Sequence, residues 1–190
     1  ANIPSKYGGR ISSVMDIKVK NPYSDKLELN GGIGLLSSRL KITAPILKDK
    51  LLISTALRGG FTDFLFPVFV KRLKNTKANF YDGTMKLLYI HNENNQFSYN
   101  YFLSNDFYQL DLISNVEKIN SEFNQYDFET SNHTFKWVHN FKNNTTLKSL
   151  YVNSSYLPKN LFPEFNSNNV IVFKSRVNYS SFQSEYTDNR

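Results

Sequence analysis

The sequence predicts an all-β chain folded as an antiparallel up-and-down meander, and three observations carry that expectation. Apolar and polar side chains alternate with a period of two through most of the chain, short polar turns alternate with long connections, and no window offers the i, i+3, i+4, i+7 stripe of an amphipathic helix. Composition agrees with a sheet that has one wet and one apolar face. Of 190 residues, 16 are Phe, 12 Tyr and 1 Trp, yet only 40% are hydrophobic. This stock of large apolar side chains can offset the entropy of ordering, which excludes a disordered chain. No run reaches the roughly 18 consecutive apolar residues of a membrane helix, which excludes a helical membrane protein. The absence of cysteine excludes thiol catalysis, disulfide scaffolds, iron–sulfur clusters and thiolate zinc sites.

Eight strands follow in order, near residues 26–35, 38–46, 51–60, 79–91, 96–105, 133–142, 146–156 and 170–186. In the first, Leu27, Leu29, Ile33 and Leu35 oppose Lys26, Glu28 and Asn30; in the second, Leu40, Ile42 and Ala44 oppose Arg39, Lys41 and Thr43. The third begins after the turn Lys48-Asp49-Lys50, and the fourth runs up to the turn Asn92-Glu93-Asn94-Asn95. In the fifth, Phe97, Tyr99, Tyr101 and Leu103 oppose Ser98, Asn100 and Ser104, interrupted by Phe102. In the sixth, Phe135, Trp137 and Phe141 oppose Thr134, Lys136, Asn140 and Lys142. The seventh follows the turn Lys142-Asn143-Asn144-Thr145. In the eighth, Ile171, Phe173, Val177 and Tyr179 oppose Lys174, Arg176, Asn178 and Ser180.

Long connections at roughly 61–78, 106–132 and 157–169 alternate with the short turns. Short turns at one end, long loops at the other and strands of about ten residues or more are the pattern of a transmembrane β-barrel of the outer membrane. Soluble sandwiches use shorter strands. A lipocalin-like barrel or a carbohydrate-binding sandwich also alternates, with the faces reversed, and the period alone does not say which face is outward.

The opening segment carries a more specific signal. Tyr7-Gly8-Gly9-Arg10, followed by Ile11, Val14 and Ile17, resembles the junction at which the plug domain of TonB-dependent outer-membrane receptors passes into the barrel. Residues 27–61 are similar to the first three barrel strands of that family: a first strand with Gly31, Gly32 and Gly34, a second ending in Ala44-Pro45-Ile46, the turn Lys48-Asp49-Lys50, then the third. Physically, Gly8 and Gly9 permit close approach and free turning where a chain passes between packing layers, and Pro22 ends the incoming strand because it cannot donate to a ladder.

The resemblance implies residues 1–22 as the end of a plug domain and 23–190 as the first strands of an incomplete barrel. A family barrel has about 22 strands. The chain opens on Ala1 with no basic segment followed by an apolar one, and closes on a strand running into a turn, so both ends read as internal to something longer. The implied function is binding and import of a scarce nutrient (a siderophore, glycan, peptide or similar) across the outer membrane of a Gram-negative bacterium. The implied partners are the TonB system, outer-membrane lipids and a surface lipoprotein. Two alternatives stand beside it: a self-contained eight-stranded barrel acting as adhesin, pore or structural element, which requires residue 190 to pair near residue 26, and a soluble β-barrel or sandwich binding module.

No enzyme is expected. His91, His133 and His139 lack ligand spacing, and no nucleophile elbow, phosphate loop or carboxylate pair is recognisable, so no catalytic residue, cofactor or metal is assigned. Ligand contacts are expected in loops. The candidates are Phe64, Phe66 and Phe69 beside the cations Lys71 and Arg72, which read equally as a strand extension with a solvated basic end. The acidic stretch with Asp106, Asp111, Glu117, Glu122, Asp127 and Glu129 lacks calcium-loop spacing and reads as a solvated loop. The net charge of 23 − 16 = +7 is spread over alternate strand positions rather than gathered in a stripe, so a polar cationic lumen is expected and nucleic acid is not. Tyr101, Trp137, Tyr156 and Tyr179 are expected at membrane interfaces.

Overall fold

A computed structural model describes residues 17–64, 68, 76–110, 124–142, 144–164 and 169–188. The chain forms one antiparallel sheet from strands β1 (Glu28–Ile33), β2 (Ser37–Leu47), β3 (Leu51–Phe61), β4 (Lys77–Asn92), β5 (Asn95–Leu110), β6 (Asn124–Asn140), β7 (Thr145–Pro163), β8 (Val170–Lys174) and β9 (Val177–Asp188). Each strand from β1 to β7 pairs with the next, which is the up-and-down order the alternation predicts. β8 and β9 both pair with β7 and share one register, Lys159 opposite Lys174 and Tyr156 opposite Val177. They are one strand broken where Pro158 has no N–H to give, although the Ser175 N–H still donates to the Pro158 carbonyl at 3.1 Å. Among the described residues β1 pairs only with β2, and β8 and β9 only with β7. The sheet is therefore an incomplete barrel, and among the described residues the pairing required by a closed eight-stranded ring is not made.

The three tight turns predicted from sequence all lie at one end of the sheet. Asp49 and Asn144 take the positive φ values of 58° and 63° that Asn and Asp tolerate best. Between β4 and β5, the Asn92 side-chain oxygen accepts from the Asn94 N–H at 3.0 Å and from the Asn95 amide at 3.0 Å. At the opposite end, a turn of 3-10 helix (Thr62–Phe64) leads away from β3. Asp63 anchors the return there, accepting from the Ala78 N–H at 2.6 Å and the Asn79 amide at 2.9 Å, while the Thr62 hydroxyl donates to the Ala78 carbonyl.

The strands at the loop end are longer than the sequence predicts. β5 continues to Leu110, β6 starts at Asn124 and β7 runs to Pro163, so parts of the predicted loops 106–132 and 157–169 are strand. The acidic stretch is divided accordingly: Asp106 belongs to β5, Asp127 and Glu129 to β6, and Asp111, Glu117 and Glu122 lie outside the described residues. β4 to β7 have 16, 16, 17 and 19 residues, well beyond the ~9–11 needed to cross a bilayer.

Register sorts every side chain onto one of two faces. In the half nearest the tight turns, one face carries Leu40 and Ile42, Ile53 and Leu57, Met85, Leu87 and Tyr89, Phe97, Tyr99 and Tyr101, Phe135 and Trp137. The other carries Lys41 and Thr43, Ser54, Thr84 and Lys86, Ser98 and Asn100, Thr134 and Lys136. The apolar face is the exposed one, with Leu57 55% and Phe135 52% accessible, whereas on the other face Thr43, Ser54 and Lys86 are buried together with Leu52 and Leu88. A soluble sheet instead buries the side that carries most of its large apolar groups.

Nearer the loops both faces become mixed, the formerly apolar one still carrying Phe107 on β5 and Leu157 and Leu161 on β7. The formerly apolar face continues into Asn105 and Gln109 on β5 and Ser131, Glu129 and Asp127 on β6, with the Asn105 amide donating to Asp127 at 2.7 Å and the Gln125 amide to Gln109 at 3.1 Å. The formerly polar face acquires Phe80, Tyr108, Tyr126, Phe128 and Phe162. In the last strand, Ile171, Phe173, Val177 and Tyr179 lie on this polar-side face, opposite Phe162, Asn160, Tyr156 and Ser154. Its turn-end half returns to the first pattern, with Phe182 and Tyr186 on the exposed face opposite Tyr151 and Leu147. The apolar surface thins over β7 and β9, where Ser149 meets Ser184 at 3.2 Å and the Asn153 amide donates to Ser180 at 2.8 Å.

Candidate functional site

The candidate site is the polar face at the height of the apolar band. Its charges come from alternate positions of successive strands: Arg39 and Lys41 on β2, Arg58 on β3, Asp82 and Lys86 on β4, Lys136 on β6, Lys148 on β7 and Glu185 on β9. Arg58 and Asp82, register partners, form an ion pair at 2.6 Å, and the guanidinium lies 5.0 Å from the centre of the Phe80 ring. Lys148 and Glu185 pair at 3.3 Å.

Residues 17–24 approach this wall. The Lys86 ammonium donates to the Val19 carbonyl at 2.6 Å, and Pro22 is buried. The segment is tied down at its far end, where the Ser24 hydroxyl bridges the Lys26 carbonyl and the Glu28 carboxylate, each at 2.8 Å. A backbone carbonyl can satisfy a sheltered ammonium by a charge-assisted hydrogen bond. Beside Lys86 in the register stands Asn100, whose side-chain oxygen is buried and has no donor among the described residues. Lys136 feels the like charges of Lys148 and Lys18. The wall holds fixed cations and polar acceptors, suited to contact with a polar segment or solute.

On the opposite face, aromatic rings run across the sheet at the tight-turn end. Tyr89 stacks with Phe97 at 6.4 Å between centroids, Phe97 with Trp137 at 6.2 Å, and Phe141 meets Tyr186 at 6.2 Å. Their polar atoms are used locally: the Trp137 N–H donates to Asn95 at 3.2 Å. Rings with an apolar body and a satisfied polar edge suit a membrane–water boundary. Of the four aromatics expected at membrane interfaces, Tyr101 shares this face with Trp137, while Tyr156 and Tyr179 are on the other one, because their register partners are Thr130 and Ser154.

The histidines stand apart from one another. His133 Nδ1 lies 2.9 Å from the Tyr99 hydroxyl, His139 Nδ1 2.8 Å from Asn95, and His91 Nδ1 3.4 Å from Tyr89. Among the described residues no three His, Cys, Asp or Glu side chains gather as metal ligands. The loop candidates Phe66, Phe69, Lys71 and Arg72, and the junction Tyr7, Gly8, Gly9 and Arg10, lie outside the described residues; of Phe64 the backbone alone is described, in the 3-10 turn. Two hollows of about 800 and 310 Å³ are open grooves whose linings include Leu40, Leu57 and Leu103 in one and Phe97, Phe135 and Trp137 in the other.

Sequence reasoning expected a cationic polar face but did not single out Lys86. The signal was present in a lysine flanked by Met85 and Leu87, yet only register reveals that the position is buried and shares a face with Lys136. Comparison of the chain with protein-family models, curated proteins and solved structures finds no match.

Proposed function

We propose that this chain is the N-terminal part of an outer-membrane β-barrel that imports a scarce nutrient, of the TonB-dependent receptor type, with residues 17–24 emerging from a plug across the lumenal wall. The observation that carries the membrane reading is the exposed apolar face: large apolar side chains stand uncovered on one face, while Lys86, Thr43 and Ser54 are sheltered beside Leu52 and Leu88 on the other, over the height bounded by the Tyr89-Phe97-Trp137 ring row. Monomeric soluble proteins rarely leave so continuous an apolar surface uncovered. The polar residues Asn105, Gln109, Asp127 and Glu129 that enter the exposed face nearer the loops are what strands projecting beyond the bilayer into water require, since outside the lipid a polar outer face is favoured. The receptor type is supported by the Tyr7-Gly8-Gly9-Arg10 resemblance and by the polar segment against Lys86.

Because the chain has no cysteine, single substitutions give a clean test. With the chain in lipid vesicles, Tyr99→Cys and Phe135→Cys are expected to resist a membrane-impermeant maleimide, while the lumenal neighbours Ser98→Cys and Thr134→Cys react. Equal reaction on both faces would remove the membrane reading. The import reading is tested in cells carrying the full-length receptor: uptake of its nutrient must collapse when TonB is deleted, and uptake that persists rejects the TonB-dependent assignment.

A further inference from the structure

On the polar-side face, at the loop end, five aromatic rings form a continuous chain across β6, β7 and β8. Tyr156 stacks with Phe128 at 6.2 Å between centroids, Phe128 meets Tyr126 at 6.4 Å, Tyr126 meets Phe162 edge-on at 5.7 Å, and Phe162 meets Phe173 at 6.0 Å. These rings are not a closed core, since Tyr156 is 40% and Phe173 59% accessible. Asn160 sits within the cluster as register partner of both Tyr126 and Phe173, and its buried side-chain oxygen has no donor among the described residues. Asp106, the register partner of Phe128, adds an exposed carboxylate.

We propose that this ring platform is a binding site for a neutral saccharide. The inference rests on the reading of this face as the water-filled side of the barrel. Exposed rings bury the flat C–H face of a sugar, while its hydroxyls donate to acceptors at the ring edges. The exposed Asp106 carboxylate calls for donors, and the Tyr126 and Tyr156 hydroxyls can both donate and accept. No strand residue of the patch presents a cation on this face: Lys159 and Lys174, paired with each other, belong to the opposite face. An anionic solute would meet Asp106 with no compensating charge, so uncharged hydroxyl-bearing rings fit best.

The test uses the whole 190-residue chain folded in a detergent without a sugar headgroup. Saturation-transfer NMR is recorded against maltohexaose, cellohexaose, chitohexaose and mannohexaose, with oligogalacturonate and a catechol as competing chemistries. At least one neutral hexasaccharide is expected to receive saturation, with affinity reduced about tenfold or more in Tyr156→Leu and in Phe173→Leu and unchanged in Phe135→Leu on the opposite face. Saturation of none of the four, preference for the acidic sugar or the catechol, or equal affinity in Tyr156→Leu overturns the proposal. Trp137 fluorescence in vesicles of brominated lipid, measured on each variant, separates the two failures. Quenching as in the parent chain shows that the fold and membrane face persist, so lost or absent sugar binding counts against the platform alone. Absence of quenching in the parent removes the lumenal reading and the proposal with it.

Discussion

Gly60 lies opposite Phe80 in the β3–β4 ladder, and a Cβ added there would collide with the Phe80 ring. The ring in turn lies against Arg58, which is held by Asp82, so it has little freedom to move aside. Gly60→Ala is expected to lower stability by about 1–3 kcal/mol, the usual cost of overpacking, read from urea unfolding in detergent. Adding Phe80→Ala should recover part of the loss through non-additivity, and strict additivity of the two would show that the collision is not the cause. At Asp63, one carboxylate serves the Ala78 N–H and the Asn79 amide together. Asp63→Ala leaves both donors in need of partners and is expected to cost about 1.5–3 kcal/mol in the same measurement.

Among the elements, the last strand shows how one residue type divides a ladder. The Ser175 N–H donates to the Pro158 carbonyl, so 158 and 175 form a hydrogen-bonded pair in which only the return bond is missing. Pro158→Ala supplies that N–H. Hydrogen exchange should then find a slowly exchanging amide at position 158 and join β8 to β9 as one protected strand; rapid exchange there would place the break elsewhere. At the β6–β7 turn, Asn144 has φ of 63°, which a Cβ disfavours. Asn144→Ala is expected to destabilise by about 1–2 kcal/mol, whereas Asn144→Gly is nearly neutral. A neutral alanine variant would mean that the turn relaxes to another conformation.

For the whole molecule, the decisive features are its two faces and its two edges. Every residue of β1, β8 and most of β9 is exposed, and their outer hydrogen-bonding edges have no strand beside them among the described residues. Amides of β5 and β6 should therefore exchange slowest and those pointing outward from β1 and β9 fastest. Equal protection across the sheet would reveal a covered edge, such as a second copy pairing strand to strand. Most of the strands, and the three tight turns, were legible in the sequence, because a period of two and Asn or Asp at turn positions are local consequences of backbone geometry. The ends of β5, β6 and β7 were not, since their loop-end halves lose the regular alternation that marks a single apolar stripe. The apolar set Ile171, Phe173, Val177 and Tyr179 reads in sequence like every other strand's apolar face, yet register turns it to the opposite side from Phe97 and Trp137. The sequence by itself determined an antiparallel meander with a polar and an apolar side to each strand. Only the tertiary structure decided which side is covered, where along the strands the two sides become mixed, and that Lys86 and the ring platform share one face, because faces are assigned by pairing between strands and not by the order of residues within one.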